Sequence, residues 1–185
     1  MKEDAVHQSL TRICQRLQKL GIDYAVAGGM SLVAHGYLRT TDDVDILVTE
    51  PGLRKVHEEL EGLGYVPPFK GSKQLRDVES GVRIEFLVTG QFPGDGKPKP
   101  VAFPEPCTAS IEIEGISYLA LPKLIELKLA SGMTNPGRLR DLADVQELVR
   151  ALKLPRNFSE QLNPYVQQQF LELWDAVTSN PQTEQ

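Results

Sequence analysis

Two aspartates, Asp43 and Asp45, open the apolar run Asp43-Val-Asp-Ile-Leu-Val48. Residues i and i+2 of a strand face the same way. Asp43, Asp45 and Leu47 therefore share one face, and Val44, Ile46 and Val48 the other. The apolar face can pack. The acidic face holds adjacent carboxylates, which repel unless a cation or a proton lies between them. Mg²⁺ takes carboxylate oxygens together with phosphate oxygens. Upstream, Gly28-Gly29-Met30-Ser31 follows the short apolar run Tyr24 to Ala27. Glycine has no Cβ, so a phosphate can approach its amide closely. Ser31 falls in the first turn of a predicted helix, where free N–H groups and the dipole favour anions. An anion cradle and a metal clamp are thus separated by one short helix and a loop. The plainer readings are a solvated strand end for the aspartates, with Asp42 adding to the cluster, and a strand-to-helix turn with a capping serine for the glycines.

The elements that must position these residues follow from periodicity. Val6, Leu10, Ile13, Leu17 and Leu20 recur at helical spacing, which predicts an amphipathic helix over residues 3 to 20, ended by Gly21. Cys14 neighbours that stripe and reads as packing. Tyr24 to Ala27 reads as a buried strand, Met30 to His35 as a short helix, and Asp43 to Val48 as a second strand. Pro51-Gly52 reads as a turn before a helix from Leu53 to Gly62. Gly64 to Val66 starts a short strand, and residues 73 to 79 another. Val82 to Val88 alternates clearly, with Arg83, Glu85 and Leu87 on one face. If this strand pairs with Asp43 to Val48, Glu85 stands beside the two aspartates. Its plainer reading is an exposed residue paired with Arg83. Gly90 to Pro106 is rich in Pro and Gly and is predicted to be a long loop. It is either a surface excursion or a flap receiving a substrate, with Lys97 and Lys99 near it. Ile111 to Ile113 and Ile116 to Leu119 predict a hairpin about Glu114-Gly115. Helices are predicted from Pro122 to Ser131, stopped by Gly132, from Gly137 to Leu152, and from Pro164 to Thr178. The expected buried residues are Leu139, Leu142 and Val149 in the second, and Val166, Phe170, Leu173, Trp174 and Val177 in the last. Residues 179 to 185 are expected to fray.

The combination Gly28-Gly29-x-Ser31, then Arg39-x-Thr41-x-Asp43-Val44-Asp45, resembles the signature of the nucleotidyltransferase superfamily, which has the polymerase-β-like fold. The arrangement resembles that of the minimal and AbiEii-type toxin nucleotidyltransferases. The resemblance implies an α/β (α+β) fold: a twisted mixed sheet flanked by helices, with additional C-terminal helices. It implies a third acid on a neighbouring strand, usually aspartate, where this chain has Glu85. It implies nucleotide contacts at Gly28, Gly29, Ser31, Arg39, Thr41 and Lys128. For Lys128 the other reading is a stem along the apolar side of its helix with the ammonium at the edge. Arg138-x-Arg140-Asp141-Leu142-Ala143-Asp144 is similar to a further motif of the family, with Arg140 where lysine is usual. Arg140 and Asp144 are also spaced for a surface pair. His35 is near the site in sequence and reads as structural.

The 185 residues are 41% apolar, enough for a core. The division expected is a nucleotidyltransferase-like domain over 1–152 and a helical extension over 153–185. The net charge of −5 argues against broad adhesion to nucleic acid. Cys14 and Cys107 match no metal spacing. No apolar run is long enough for a membrane span and no signal peptide is visible, so a soluble cytoplasmic protein is expected. The expected activity is transfer of a nucleoside monophosphate from an NTP, such as ATP, to an acceptor hydroxyl on a small molecule, an RNA end or a protein. Asp43, Asp45 and Glu85 would hold Mg²⁺ or Mn²⁺. A toxin–antitoxin partner protein is a further expectation from the resemblance. The competing classes are a non-turnover nucleotide-binding module of antitoxin or sensor type, and a sugar transferase using a DxD metal site.

Overall fold

The computed structural model describes residues 2–179. The chain divides into two compact units, residues 1–90 with 103–120, and residues 91–102 with 121–185. The second unit holds the last three long helices of the chain, which pack on one another.

The first unit is built on a mixed seven-stranded sheet in the order β3-β4-β5-β2-β1-β7-β6. Its elements are α1 (Lys2–Lys19), β1 (Tyr24–Ala27), α2 (Gly28–Ala34), β2 (Asp43–Val48), α3 (Glu50–Leu60), β3 (Tyr65–Val66), β4 (Gln74–Asp77), β5 (Arg83–Val88), the single turn α4 (Pro106–Ala109), β6 (Ser110–Ile113) and β7 (Ile116–Leu119). The stripe of α1 buries Val6, Leu10, Ile13, Cys14 and Leu17 in one core cluster. Leu53, Val56 and Leu60 of α3 join it, as do Val44, Ile46, Val48, Ile84, Phe86 and Val88 of the sheet. A fully buried side chain of this kind contributes about 1.5–3 kcal/mol. With one parity of β2 and β5 held in the core, the other parity must face away. That is how the fold fixes the direction of Asp43, Asp45, Arg83 and Glu85. Cys14 lies inside this core, and burial pushes its thiol up to about 12.

Two boundaries differ from the sequence expectation. Pro51 and Gly52 do not turn the chain; they form the first turn of α3, because Thr49 Oγ1 accepts the Gly52 amide at 3.1 Å and proline suits a helix start. The glycine pair likewise lies inside α2 rather than before it. The hairpin is as expected: Glu114 (φ 50°) and Gly115 (φ 78°) both adopt the left-handed region of a tight two-residue turn.

The second unit contains α5 (Leu121–Thr134), α6 (Leu139–Leu152) and α7 (Pro164–Ser179), with 3₁₀ turns at Pro136–Arg138 and Arg156–Gln161. Gly132 does not stop α5. A Cβ there would stand 2.5 Å from Leu142 Cγ, so the glycine allows α6 to approach. Leu139, expected in the core, is exposed, while Asp141 and Asp144 are buried. The stripe of α7 is deepest at Val166 and Phe170; Trp174 is partly buried and donates its indole N–H to Leu154 O at 2.8 Å. Of residues 179–185, where fraying is expected, Ser179 ends α7, and residues 180–185 lie outside the described residues. Residues 91–102 are irregular but tied down. Lys99 Nζ donates to Asp95 Oδ1, Pro93 O and Lys97 O at 2.7–2.8 Å, and Asn135 Nδ2 donates to Gly94 O at 3.1 Å. Lys99 thus braces its own loop, which disfavours the flap reading. Among the described residues, no helix is long and apolar enough to cross a membrane.

Candidate active site

The outward parity of the sheet brings the sequence candidates together. β2 and β5 run parallel, with Asp45 opposite Glu85 and Asp43 opposite Arg83. β1 runs antiparallel to β2, with Ala27 opposite Asp45. The residue after Ala27 is Gly28, so the glycine pair begins beside Asp45. An added Cβ at Gly28 would stand 1.7 Å from Asp45 Oδ2, and one at Gly29 would stand 2.6 Å from Thr41 Oγ1. Gly28 also has φ +57°, which a side chain disfavours. The glycines are therefore required first by the chain's own carboxylate and hydroxyl, and only then by any ligand.

Thr41 Oγ1 donates to Asp43 Oδ1 at 3.2 Å and lies within reach of Asp43 O at 3.3 Å. This side-chain bond shapes the loop that leads into β2. Ser31 does not cap α2, whose N-cap is Ala27 with no side-chain bond. Its hydroxyl is fully buried in the helix and has no hydrogen-bond partner among the described residues. A buried hydroxyl left unmatched costs about 1–3 kcal/mol, and such a group beside a glycine turn is suited to meet a ligand oxygen. Arg39 is half-buried in the irregular stretch between α2 and β2. His35 is structural, as expected: its Nε2 donates to Leu119 O at 2.7 Å.

Arg83 does not pair with Glu85. Its Nη2 meets Asp43 Oδ2 at 2.5 Å, across the strand pair. That hydrogen bond outweighs partial desolvation, and the charges of Asp43, Glu85 and Asp45 add to it, so the guanidinium is held more firmly charged than usual. In residue type the donor set suits a hard dication, with three carboxylates at adjacent positions on one sheet face. However, no three acidic, histidine or cysteine side chains among the described residues are already grouped to hold an ion. Beside Asp43 the guanidinium stands where a cation would.

Lys128 departs from expectation. Its ammonium is buried, not at the helix edge, and contacts Asp141 Oδ1 at 3.0 Å and Asp144 Oδ2 at 2.8 Å. Ser131 Oγ and Arg138 Nε donate to Asp141 Oδ2 at 2.7 and 2.9 Å. Asp144 therefore does not form the surface pair with Arg140. A long basic side chain from the middle of α5 faces two acids one turn apart on α6, so the cluster joins these helices. The sequence reading also missed Arg76 of β4, which lies directly opposite Arg83. Strict alternation in β4 and β5 was the signal that could have found it.

Residues 1–172 match the model of a family described as an uncharacterised nucleotidyltransferase. No curated protein matches the chain. The fold is similar to the solution structure of the antibiotic-resistance factor ANT(2'')-Ia, with TM-score 0.57 and 11% identity over 97% of this chain and 95% of that one. The crystal structure of the same factor in complex with adenylyl-2''-tobramycin gives 0.53 and 12% over 94% and 98%. An antigenic nucleotidyltransferase-like protein from Paracoccidioides brasiliensis gives 0.53 and 15% over 98% and 91%. At such identities the likeness is one of fold.

Proposed function

Because the chain belongs to this nucleotidyltransferase family, we propose that it moves a nucleoside monophosphate from an NTP to an acceptor hydroxyl and releases pyrophosphate. The observation that carries the reading is the packing of Gly28 against the Asp45 carboxylate, with Glu85 directly opposite Asp45. On this reading the glycine pair, whose amides a phosphate can approach closely, lies beside the acids that would hold a metal. Asp43, Asp45 and Glu85 would hold Mg²⁺ or Mn²⁺, which when bound neutralises phosphate charge and lowers the pKa of a coordinated hydroxyl. Gly28, Gly29 and Ser31 receive the β- and γ-phosphates. Thr41 holds Asp43, and the positive charge of Arg39 draws in the triphosphate. The acceptor oxygen forms a bond to the α-phosphorus as the bond to the β-phosphate oxygen breaks. Its proton passes to Glu85, and pyrophosphate leaves with the bonding electrons. Positioning and charge neutralisation supply most of the rate.

The engagement of Asp43 by Arg83 favours one second reading, a nucleotide-binding module that does not turn over. Label transfer separates the two. Each of the four α-labelled NTPs is incubated with the protein and with RNA, protein and small-molecule fractions. Label enters one fraction with the wild type and falls at least 100-fold in Asp43→Ala, Asp45→Ala. Transfer that survives this double substitution removes the site assignment. Saturable NTP binding with no transfer to any fraction favours the module.

A further inference from the structure

The site face carries two arginines, Arg76 and Arg83, that the reaction above does not use. Across four strands, Cα partners place Val66, Arg76, Arg83 and Asp43 side by side. The adjacent row reads Gln74, Glu85, Asp45 and Ala27. Arg76 and Arg83 are therefore directly opposed on one face. Like charges in that position destabilise a sheet, and both residues are exposed. Arg83 has Asp43 as its partner, whereas Arg76 has no ion pair among the described residues. Arg76, on the side of Arg83 away from Asp43, retains capacity for an anion, and arginine's fork matches phosphate oxygens.

The order of the sheet gives this pair a direction. The glycine turn leaves from β1, on one side of the acids of β2. The arginines lie on β5 and β4, on the other side. In phosphoryl-type transfer, the attacking oxygen and the leaving group lie roughly in line on opposite sides of the reacting phosphorus. With pyrophosphate over the glycines, the acceptor approaches from the arginine side. Resting on the transferase reading, we infer that Arg76 and Arg83 form the acceptor subsite and that the acceptor carries a phosphate group near its reacting hydroxyl. The net charge of −5 disfavours a long polyanion. A compact phosphorylated molecule or a short RNA end supplies the same chemistry.

The test uses the full chain, α-labelled NTP and four acceptors: glucose 6-phosphate, glucose, glucosamine and a short oligoribonucleotide with a free 3′-hydroxyl. At least one phosphate-bearing acceptor is expected to exceed glucose and glucosamine about tenfold in kcat/KM. The sugar phosphate and oligoribonucleotide arms then tell the two sources apart. Arg76→Gln raises the KM of that acceptor about tenfold, the loss of one charge-assisted contact, while the KM for NTP stays in place. Preference for glucosamine or glucose overturns the inference, as does a rise in the KM for NTP alone. If no acceptor is labelled, the transferase reading fails by itself, and calorimetric binding of glucose 6-phosphate and of the oligoribonucleotide decides the subsite. Binding weakened about tenfold in Arg76→Gln sustains it; binding that is absent, or unchanged by the substitution, overturns it.

Discussion

Gly28 shows how little room the site leaves at the scale of one residue. Its φ of +57° costs a residue with a side chain about 1–2 kcal/mol, and a Cβ there would overlap Asp45 Oδ2. Asp45 would have to leave the row it shares with Glu85. Gly28→Ala is therefore expected to lose about 1–3 kcal/mol in urea unfolding and at least 100-fold in label transfer. A stable and fully active Gly28→Ala protein would show that Asp45 needs no glycine beside it. The residue types were legible in the sequence, since a glycine pair and an Asp-x-Asp each suggest one kind of chemistry. What they touch was not legible. The glycines appeared to be reserved for phosphate, yet their nearest neighbours are Asp45 and Thr41. Arg83 appeared to belong with Glu85, two residues along its own strand, yet it pairs with Asp43, more distant in sequence but adjacent across the strands.

Among the elements, the α5–α6 pair departs most from its sequence reading. Asp141 and Asp144 are three apart, so they share a helix face, and that face was taken as exposed. It is instead the face against which Lys128 is buried. Removing one partner of a buried ion cluster leaves uncompensated charge and costs about 3–5 kcal/mol. Lys128→Ala should lower stability by that amount in denaturant unfolding. Replacing Lys128, Asp141 and Asp144 together by Met, Asn and Asn should cost much less. An unchanged unfolding midpoint in Lys128→Ala would mean that the cluster is not structural. Helical periodicity gave the existence and approximate length of both helices. It could not tell a buried charged face from a wet one, because burial is decided by the neighbouring helix.

For the molecule as a whole, each unit carries a buried aspartate whose acidity its fold increases. Burial alone would raise Asp77, but hydrogen bonds from Arg12, Ser9 and neighbouring groups hold it below the ordinary carboxylate value. Burial would likewise raise Asp141, but Lys128, Ser131 and Arg138 outweigh it. A carboxyl with a lowered folded pKa contributes stability above its unfolded value, about 3.9, and loses it as pH falls through the folded value. Stability should be level above about pH 5 and fall steadily below about pH 4. Asp77→Asn and Asp141→Asn should each flatten that acid limb; a wild type that gains stability between pH 5 and 3 contradicts the assignment. The sequence by itself determined the strands, most of the helices and the parity that turns Asp43, Asp45 and Glu85 away from the core. These follow from local periodicity, a property of adjacent residues. Only the tertiary structure decided strand order, and with it the row that sets Arg76 and Arg83 beside Asp43 and the burial of Lys128 between two acids. Such partners are chosen by packing between segments distant in the chain, and no local pattern encodes that distance.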